Sequence, residues 1–436
     1  MCDPWIGWAN ENAWLSFPYD EEGPEIVRKL APTAVYISHL HPDHHDPKTL
    51  EHIDRATPIL IKTFRDSRLA GKLKAQGFTS IIELDGWAVH KLGDDLEVAI
   101  VPASNMVNRE IDAAISYDID TSLLVHDTKT GQVFYNNVDN PMSIDALKGV
   151  RAFAEKTWGR AVDIACLPVG AASEYPHCFM GIDRWAAARR IIGASLKELP
   201  VKIDALGCTN LFIAGGTYVI CGKFSALNSF IAQPGFDEIK AFLSSWTSSG
   251  HGLFSLEGGG TLSFEDDNAW TEVAPENRKT ADKAAYARAA SALDYDYPSD
   301  VRTGKMDVTK AKTRARAALN GAMENYRTIL GKIGLKQDWT TEFSVYADLR
   351  VADDGNIAAG SAPAWHFTLP AQGKTVRQTL KVHLDLDLFI DLLEGHSNWN
   401  GALSGSYILY EREPDFFLPD APFSLNFLVD RSGAHD

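Results

Sequence analysis

Residues 37–46 read ISHLHPDHHD, and they carry the most informative pattern in this sequence. Four histidines and two aspartates fall within the eight residues that follow a short apolar run, Ala34–Ser38. That run has the β-branched and aromatic residues of a buried strand, and a strand end fixes where the next loop places its side chains. Imidazole and carboxylate groups are ligands of zinc, iron and manganese, so the segment favours a metal site over a polar surface loop.

The composition of the chain is that of an ordinary globular protein. It has 436 residues, of which 45% are hydrophobic and 23% are charged, so neither a disordered nor a fibrous protein is expected. The length predicts two or three domains, or one large domain with an appendage. The net charge of −16 argues against a general binder of nucleic acid or anionic membranes, because phosphate contacts need clustered lysine and arginine.

The five cysteines are widely spread, and the sequence has no Cys-x-x-Cys pair. Neither a disulfide framework nor a cysteine zinc site is therefore predicted. The sequence has no run of about 18 apolar residues that would predict a membrane span, and its first residues have no signal-peptide pattern. We therefore expect a cytoplasmic protein.

Short apolar runs alternate with amphipathic stretches in the first 270 residues, which predicts an α/β fold with mixed sheets. The predicted strands there are Ala34–Ser38, Pro58–Lys62, Leu96–Pro102, Ser122–His126, Val133–Asn137 and Val162–Leu167, and the helices are Phe64–Ala75, Ile144–Thr157, Asp183–Leu199 and Phe236–Ser245. Further along, the predicted helices are Ala274–Leu293, Val308–Ile333 and Leu386–Leu393, and the strands are Thr341–Val351, Trp365–Leu369, Val376–Leu384 and Ala402–Tyr410. We therefore predict a metal-binding domain (residues 1–270) and a C-terminal unit of helices and α+β structure (residues 271–436).

Residues 39–44 resemble the His-x-His-x-Asp-His signature of the metallo-β-lactamase superfamily. The resemblance implies the αββα sandwich of that family, in which two mixed sheets lie between helices and a metal site lies at one sheet edge. It also implies that His39 and His41 bind one metal ion. Asp43 and His44 would bind a second ion, or Asp43 would act catalytically as a proton shuttle.

The same resemblance implies a bridging carboxylate after a later strand, and Asp139 has that position. A turn or helix-cap aspartate is the alternative interpretation. Two further histidines of the common pattern are absent, from Pro102–Asp112 and from Ile213–Thr217. Asn105 or Glu110 could substitute for one of them. His177 could also complete the ligand set, or it could be a hydrogen-bonded loop histidine.

A narrower resemblance, to CMP-N-acetylneuraminate hydroxylase and its relatives, extends along the chain. It rests on Asp3-Pro4-Trp5, the 39–44 loop, Asn137-Val138-Asp139, the segment 170–176 and matches beyond residue 214. That enzyme carries a Rieske cluster, which needs Cys-x-His and Cys-x-x-His pairs, and neither pair occurs in this sequence. Electrons would then come from a separate ferredoxin or reductase.

The C-terminal unit resembles a sterol-carrier-like fold, which could cover an apolar substrate or form a contact in a homo-oligomer. A capping domain without a ligand is the alternative.

Taken together, the residues and the resemblance predict a non-haem iron oxygenase or hydroxylase with mononuclear or dinuclear iron. The reduced histidine set leaves open positions for oxygen. The substrate would be a small amino- or sugar-type metabolite, with Glu174, Tyr175 and Asn105 as predicted contacts. One alternative is a hydrolase in which zinc or manganese activates water. A second alternative is a non-catalytic binding protein on a degenerate site.

Overall fold

The computed structural model describes residues 1–17, 19, 22–64, 67–103, 120–170, 173–213, 218–255, 260–264, 270–273, 282–373 and 375–431. Two of the residues predicted at the site, Asn105 and Glu110, lie outside the described residues. The predicted helix from Ala274 is described only from residue 282 onward.

The strands of the described residues fall on both sides of residue 270. They are β1 (Trp8–Ala9), β2 (Trp14–Ser16), β3 (Val35–Tyr36), β4 (Ile59–Lys62), β5 (Ile81–Leu84), β6 (Val89–Leu92), β7 (Leu96–Pro102), β8 (Thr121–Asp127), β9 (Val133–Asn136), β10 (Ile164–Leu167), β11 (Asn210–Ile213), β12 (Tyr218–Ile220), β13 (Gly252–Phe254), β14 (Thr261–Phe264), β15 (Trp270–Val273), β16 (Trp339–Tyr346), β17 (Pro363–Leu369), β18 (Gln378–Asp385) and β19 (Leu409–Glu413).

The helices lie between these strands, as expected for an α/β chain. They are α1 (Gly23–Leu30), α2 (Pro47–Leu50), α3 (Arg68–Ala75), α4 (Ile144–Trp158), α5 (Arg184–Leu206), α6 (Phe236–Phe242), α7 (Ser244–Ser248), α8 (Lys283–Ala290), α9 (Val308–Lys332), α10 (Leu386–Leu393), α11 (Trp399–Ser404) and α12 (Asp420–Ser424), with 3-10 turns at Gly222–Phe230 and Leu425–Phe427.

The largest sheet is mixed and has the strand order β13-β11-β10-β9-β8-β7-β6. Strands β6 to β9 form an antiparallel meander, and β9, β10, β11 and β13 run parallel to one another. A second, parallel sheet has the order β3-β4-β5, and β12 joins the hairpin β1-β2 in a third. Helices α4 and α5 pack on the large sheet through buried residues such as Leu147, Val150 and Leu199. This part is a mixed α/β structure, as the sequence predicted.

The C-terminal unit is built around a four-stranded sheet of order β17-β16-β18-β19. Its central strands β16 and β18 run parallel from Trp339 opposite Gln378 to Tyr346 opposite Asp385. Helix α10 is buried along its whole length, and Gly395, with a φ of 75°, follows its end. The specific resemblance to a sterol-carrier fold stays a prediction.

One predicted strand in the C-terminal unit is wrong. Ala402–Tyr410 does not form a single strand, because α11 occupies Trp399–Ser404 and β19 begins only at Leu409. The Asn398 side chain accepts a hydrogen bond from the Asn400 backbone and thereby caps the helix. Trp399, Ala402 and Leu403 then share one buried face at helical spacing, which the alternating pattern of the sequence did not reveal.

The main apolar core crosses the predicted boundary at residue 270. Trp14 and Tyr218 belong to the same buried cluster as Phe343 and Phe389 of the C-terminal unit. Trp14 and Tyr218 stack with ring centroids 4.0 Å apart. The two predicted domains therefore share a core, and the boundary itself stays a prediction. No helix within the described residues is both long and apolar enough to cross a membrane.

We expect Phe389→Ala to lower the free energy of unfolding by about 3–5 kcal/mol. Phe389 is fully buried among Phe343, Phe367 and Trp399, so its removal leaves a cavity between rings. Urea unfolding measures the change. Phe417→Ala is the matched control, because Phe417 is 70% exposed and its removal should cost less than about 0.5 kcal/mol. Equal losses would contradict this placement of the core.

Candidate metal centre

Hydrogen bonds fix the backbone where strand β3 leads into the histidine-rich loop, residues 39–46. The Ser38 backbone N donates to Asp3 Oδ1 at 2.8 Å, and the Ser38 hydroxyl donates to Asp3 Oδ2 at 2.7 Å. The Thr121 hydroxyl, at the start of β8, donates to the Ser38 carbonyl at 2.9 Å. Two distant segments of the chain therefore set the backbone position just before His39.

Asp3 also orients His44. His44 Nδ1 lies 3.1 Å from Asp3 Oδ2, which accepts its proton. In the neutral imidazole, His44 Nε2 is then free of hydrogen, and it faces Asp139 Oδ2 at 3.2 Å and Asp43 Oδ2 at 3.4 Å. A carboxylate that fixes the tautomer of a histidine in this way is typical of metal sites.

His39 and His41 lie side by side, as expected for residues two apart. His39 is 2% exposed, and its Nδ1 lies 2.9 Å from the Ser38 hydroxyl. His39 Nε2 lies 2.8 Å from His41 Nδ1 and 3.3 Å from Asp120 Oδ1. Two imidazole nitrogens and a carboxylate oxygen thus meet at one point.

Asp120 is a site residue that the sequence analysis missed. Strands β7 and β8 pair antiparallel with Pro102 opposite Thr121, so residue 120 lies at the sheet edge where β7 ends. The superfamily resemblance implied a ligand after β7, and the neighbouring strand places one there instead. The signal in the sequence was an aspartate two residues before the predicted strand Ser122–His126.

Asp139 reaches the centre from a tight turn after strand β9. Val138 adopts a left-handed conformation with a φ of 52°. The Asn137 side chain holds this turn, because its amide donates to the Asn140 carbonyl at 2.9 Å and its Oδ1 accepts from the Tyr135 hydroxyl at 3.0 Å. Asp139 thus approaches His44 from the same sheet edge that presents Asp120.

The side chains fall into two overlapping groups that fit a metal ion. His39, His44 and Asp139 form one group and His39, His41 and Asp120 form the other, each with donor atoms within 4.8 Å of one another. Metal bonds of about 2.0–2.2 Å in tetrahedral geometry would place neighbouring ligand atoms about 3.3 Å apart. The separations of 3.2 Å for His44–Asp139 and 3.3 Å for His39–Asp120 agree with that spacing.

Burial and mutual charge shift the pKa values in the centre. Burial, with the neighbouring His44 and His41, lowers the pKa of His39 well below its usual range, so His39 is neutral and can bind a cation. Burial also lowers the pKa of His44, but Asp43, Asp139 and Asp3 outweigh it and raise that pKa well above its usual range. Without a cation the centre therefore holds its proton on His44.

The adjacent His45 and Asp46 face away from the centre. His45 Nε2 lies 3.2 Å from Gln76 Oε1, and burial lowers the pKa of His45 to about 4. Asp46 accepts from the backbone N of Lys48 and Thr49 and so caps helix α2. His45 and Asp46 therefore have structural roles in the histidine-rich segment.

His177 lies apart from both His/Asp groups. Its Nε2 is 2.8 Å from the Ser406 hydroxyl, which also accepts from Trp14 Nε1 at 3.1 Å. Burial, with Arg184 nearby, lowers the pKa of His177 to about 3. His177 thus links residues 1–270 to the C-terminal unit. Its role as a metal ligand stays a prediction.

Glu174 and Tyr175, the predicted substrate contacts, lie against the C-terminal unit. The Arg412 guanidinium, on strand β19, stands 4.4 Å over the Tyr175 ring. Burial raises the pKa of Glu174 although Arg412 opposes the shift. Neither residue belongs to the His/Asp groups, and their contact with a substrate stays a prediction.

Asn400 is a second residue at the centre that the sequence analysis missed. Its side-chain Nδ2 atom lies 2.7 Å from His41 Nε2, although 359 residues separate the two in sequence. No local pattern could have connected them. The C-terminal unit therefore touches the predicted ligand set directly.

Comparison with curated proteins finds relatives that carry the description "Putative Rieske 2Fe-2S iron-sulfur protein". The Mycobacterium tuberculosis protein is 28% identical over 202 residues, which cover 45% of this chain and 35% of the relative. The Mycolicibacterium smegmatis protein is 27% identical over 304 residues, which cover 66% of this chain and 55% of the relative. The chain thus spans between a third and a little over half of the length of these relatives. No protein-family model matches it.

Comparison with solved structures finds proteins of low identity and low TM-score. A mutant of the CmlA beta-hydroxylase has a TM-score of 0.35 and 17% identity, over 52% of this chain and 44% of its own. An isothiocyanate hydrolase from Delia radicum gut bacteria has a TM-score of 0.38 and 14% identity, over 59% of this chain and 88% of its own. A possible metal-dependent hydrolase from Veillonella parvula has a TM-score of 0.39 and 12% identity, with the same coverages.

We expect His39→Ala to abolish stoichiometric metal binding, because His39 is common to both donor groups. Metal content of purified protein after loading and desalting measures the effect. His45→Ala is the matched control, since it removes a buried histidine two residues from Asp43 that faces Gln76. Loss of metal in both variants would indicate a general effect on the loop and contradict the assignment.

We expect Asp120→Asn to stabilise the metal-free protein and to weaken metal binding. Burial, together with repulsion from Asp139 and Asp43, raises the pKa of Asp120 to about 6 from an ordinary 3.8, so its ionised form opposes folding at pH 7. Removing that charge should add about 1–2 kcal/mol to the free energy of unfolding. The gain should be complete above pH 6 and shrink as the pH falls toward 3.8.

Urea unfolding at several pH values and metal titration test this pair of effects. Asp145→Asn is the control, because the Asp145 side chain is 92% exposed and its surface ion pair with Lys148 should contribute less than about 0.5 kcal/mol. A variant Asp120→Asn that loses stability at pH 7 would show that the carboxylate has a structural role instead.

Proposed function

We propose that this chain is a metal-dependent enzyme of metallo-β-lactamase fold, and that it hydroxylates a small polar metabolite at an iron centre. The observation that carries the proposal is the composition of the centre. Three carboxylates, of Asp43, Asp120 and Asp139, surround the imidazoles of His39, His41 and His44. Oxygen ligands together with imidazole suit iron and manganese better than a purely imidazole site does.

His39, His41, His44, Asp120 and Asp139 would hold the metal, as one ion or as two of which only one binds His39. Bound iron would supply redox chemistry with oxygen at positions that the protein leaves open. The chain itself orients the ligands: Asp3 holds the Nδ1 proton of His44 and keeps Nε2 directed at the centre.

Asp43 is the predicted proton carrier of the site. It is partly buried, and although burial raises its pKa, the neighbouring His44 outweighs this and lowers it below the ordinary value. An ionised carboxylate 3.4 Å from His44 Nε2 can accept a proton from a substrate group or from water. A substrate amine or hydroxyl next to Asp43 would use it in this way.

The electron supply is a separate part of the proposal. The curated relatives carry a Rieske description, and this sequence has no Cys-x-His or Cys-x-x-His pair. We propose that an iron–sulfur protein of ferredoxin type or a reductase delivers the electrons, because residues 1–436 contain neither pair. The narrower resemblance to CMP-N-acetylneuraminate hydroxylase is consistent with an amino- or sugar-type substrate and stays a prediction.

A hydrolase is the second candidate, and the placement of Asp43 favours it. A carboxylate beside the ligands is the group that a metal-bound water needs as a proton acceptor, and zinc or manganese would then serve for an ester, lactone or phosphodiester. A binding protein without catalysis would retain the fold and lose the metal.

Metal analysis with anaerobic spectroscopy separates these functions. We expect protein prepared with ferrous iron under exclusion of air to retain iron in stoichiometric amounts. Oxidation should give an optical band that reduction removes. Asp139→Asn should lose iron, and His45→Ala should keep it. Stoichiometric zinc without iron would overturn the oxygenase, and absence of any metal would favour the binding protein.

A further inference from the structure

The contact between Asn400 and His41 depends on which ring nitrogen of His41 carries the hydrogen. His41 Nδ1 lies 2.8 Å from His39 Nε2, on the side of Asp120, so Nδ1 is the nitrogen that faces a metal ion. A nitrogen that binds a metal carries no hydrogen, and the other ring nitrogen then carries it. His41 Nε2 must therefore donate a hydrogen bond, and Asn400 is the group 2.7 Å away.

An asparagine side chain can meet that requirement. Its carboxamide has an accepting oxygen at one end and a donating nitrogen at the other, and a half-turn of the group exchanges them without other movement. With the oxygen toward His41, Asn400 accepts the Nε2 proton. Partners of this kind fix the orientation of a ligand histidine and increase its basicity.

We propose that Asn400 is a positioning residue of the metal centre, which sets the tautomer and ring orientation of His41 from the C-terminal unit. The inference rests on the proposed function, because it requires that the centre binds a metal ion. It assigns to residues 271–436 a role beyond covering the fold. Without the C-terminal unit, His41 Nδ1 would still face the metal ion, but His41 Nε2 would lose its hydrogen-bond partner.

The C-terminal unit holds Asn400 firmly enough for such a role. Asn398 caps helix α11 by accepting from the Asn400 backbone at 2.8 Å. The residue between them, Trp399, is 3% exposed, and its Nε1 donates to the Leu428 carbonyl at 2.7 Å. Just before the helix, the Ser397 hydroxyl donates to Glu11 Oε1 at 3.0 Å. The helix start is thus tied to the C-terminal core and to the N-terminal segment.

Three variants of the full chain test the proposal, with Zn²⁺ alone as the probe. Asn400→Ala removes the acceptor, and we expect it to weaken Zn²⁺ binding by about 10- to 100-fold in competition with a chelator. Asn400→Asp restores an acceptor, so its affinity should equal or exceed that of the wild type. Ser404→Ala is the matched control, because the Ser404 hydroxyl donates only to backbone carbonyls of the same helix.

A second readout follows the hydrogen bond itself. In zinc-loaded protein with labelled histidine, we expect the Nε2 proton of His41 to exchange slowly and to give a resolved NMR signal. The signal should persist in Asn400→Asp and disappear in Asn400→Ala. A merely structural role of Asn400 would alter thermal unfolding and leave this proton protected.

The outcomes distinguish this inference from the function on which it rests. Wild-type affinity in Asn400→Ala, with loss of zinc in His39→Ala, would overturn the role of Asn400 and leave the metal centre intact. An Asn400→Asp variant as weak as Asn400→Ala would also overturn it. A wild type that binds no more zinc than His39→Ala would overturn both proposals.

Discussion

The clustering of three carboxylates, of Asp43, Asp120 and Asp139, at one partly buried point is the main electrostatic constraint on this structure. Burial, together with repulsion from Asp139 and Asp43, raises the pKa of Asp120 there. Imidazoles alone offset this charge only by taking up a proton, as His44 does. A bound cation offsets it directly. The strand ends, the Asp3–Ser38 bonds and the Asn137 turn all hold these groups together against that repulsion.

The part of the centre that sequence could predict is the part encoded locally. His39 to His44 are contiguous after a strand, and Asp139 follows a strand that the apolar pattern marks. Asp120 depends on the antiparallel register of β7 and β8, which places residue 120 beside residue 102. Asn400 depends on the docking of a distant helix, which no local periodicity encodes.

In the fold, too, the elements encoded by local sequence were predicted, and those that depend on tertiary packing were not. Strands and helices with clear periodicity, such as β7 and α10, were predicted within a residue or two. The region after residue 398 was predicted wrongly. The Asn398 cap and the buried Trp399 stabilise a short helix where the sequence resembles a strand. Tertiary packing decided that segment, as it often does for short elements of weak propensity.

The separation of Asn400 from His41 also has a consequence for biosynthesis. A ribosome adds roughly 5–20 residues per second, so about 20–70 s pass between the synthesis of these two residues, which lie 359 positions apart. By the end of that interval the nascent chain contains His39, His41, Asp120 and Asp139, and Asn400 is the last of these residues to be made. The surroundings of His41 are consequently complete only after residue 400 has been synthesised and has packed against the loop.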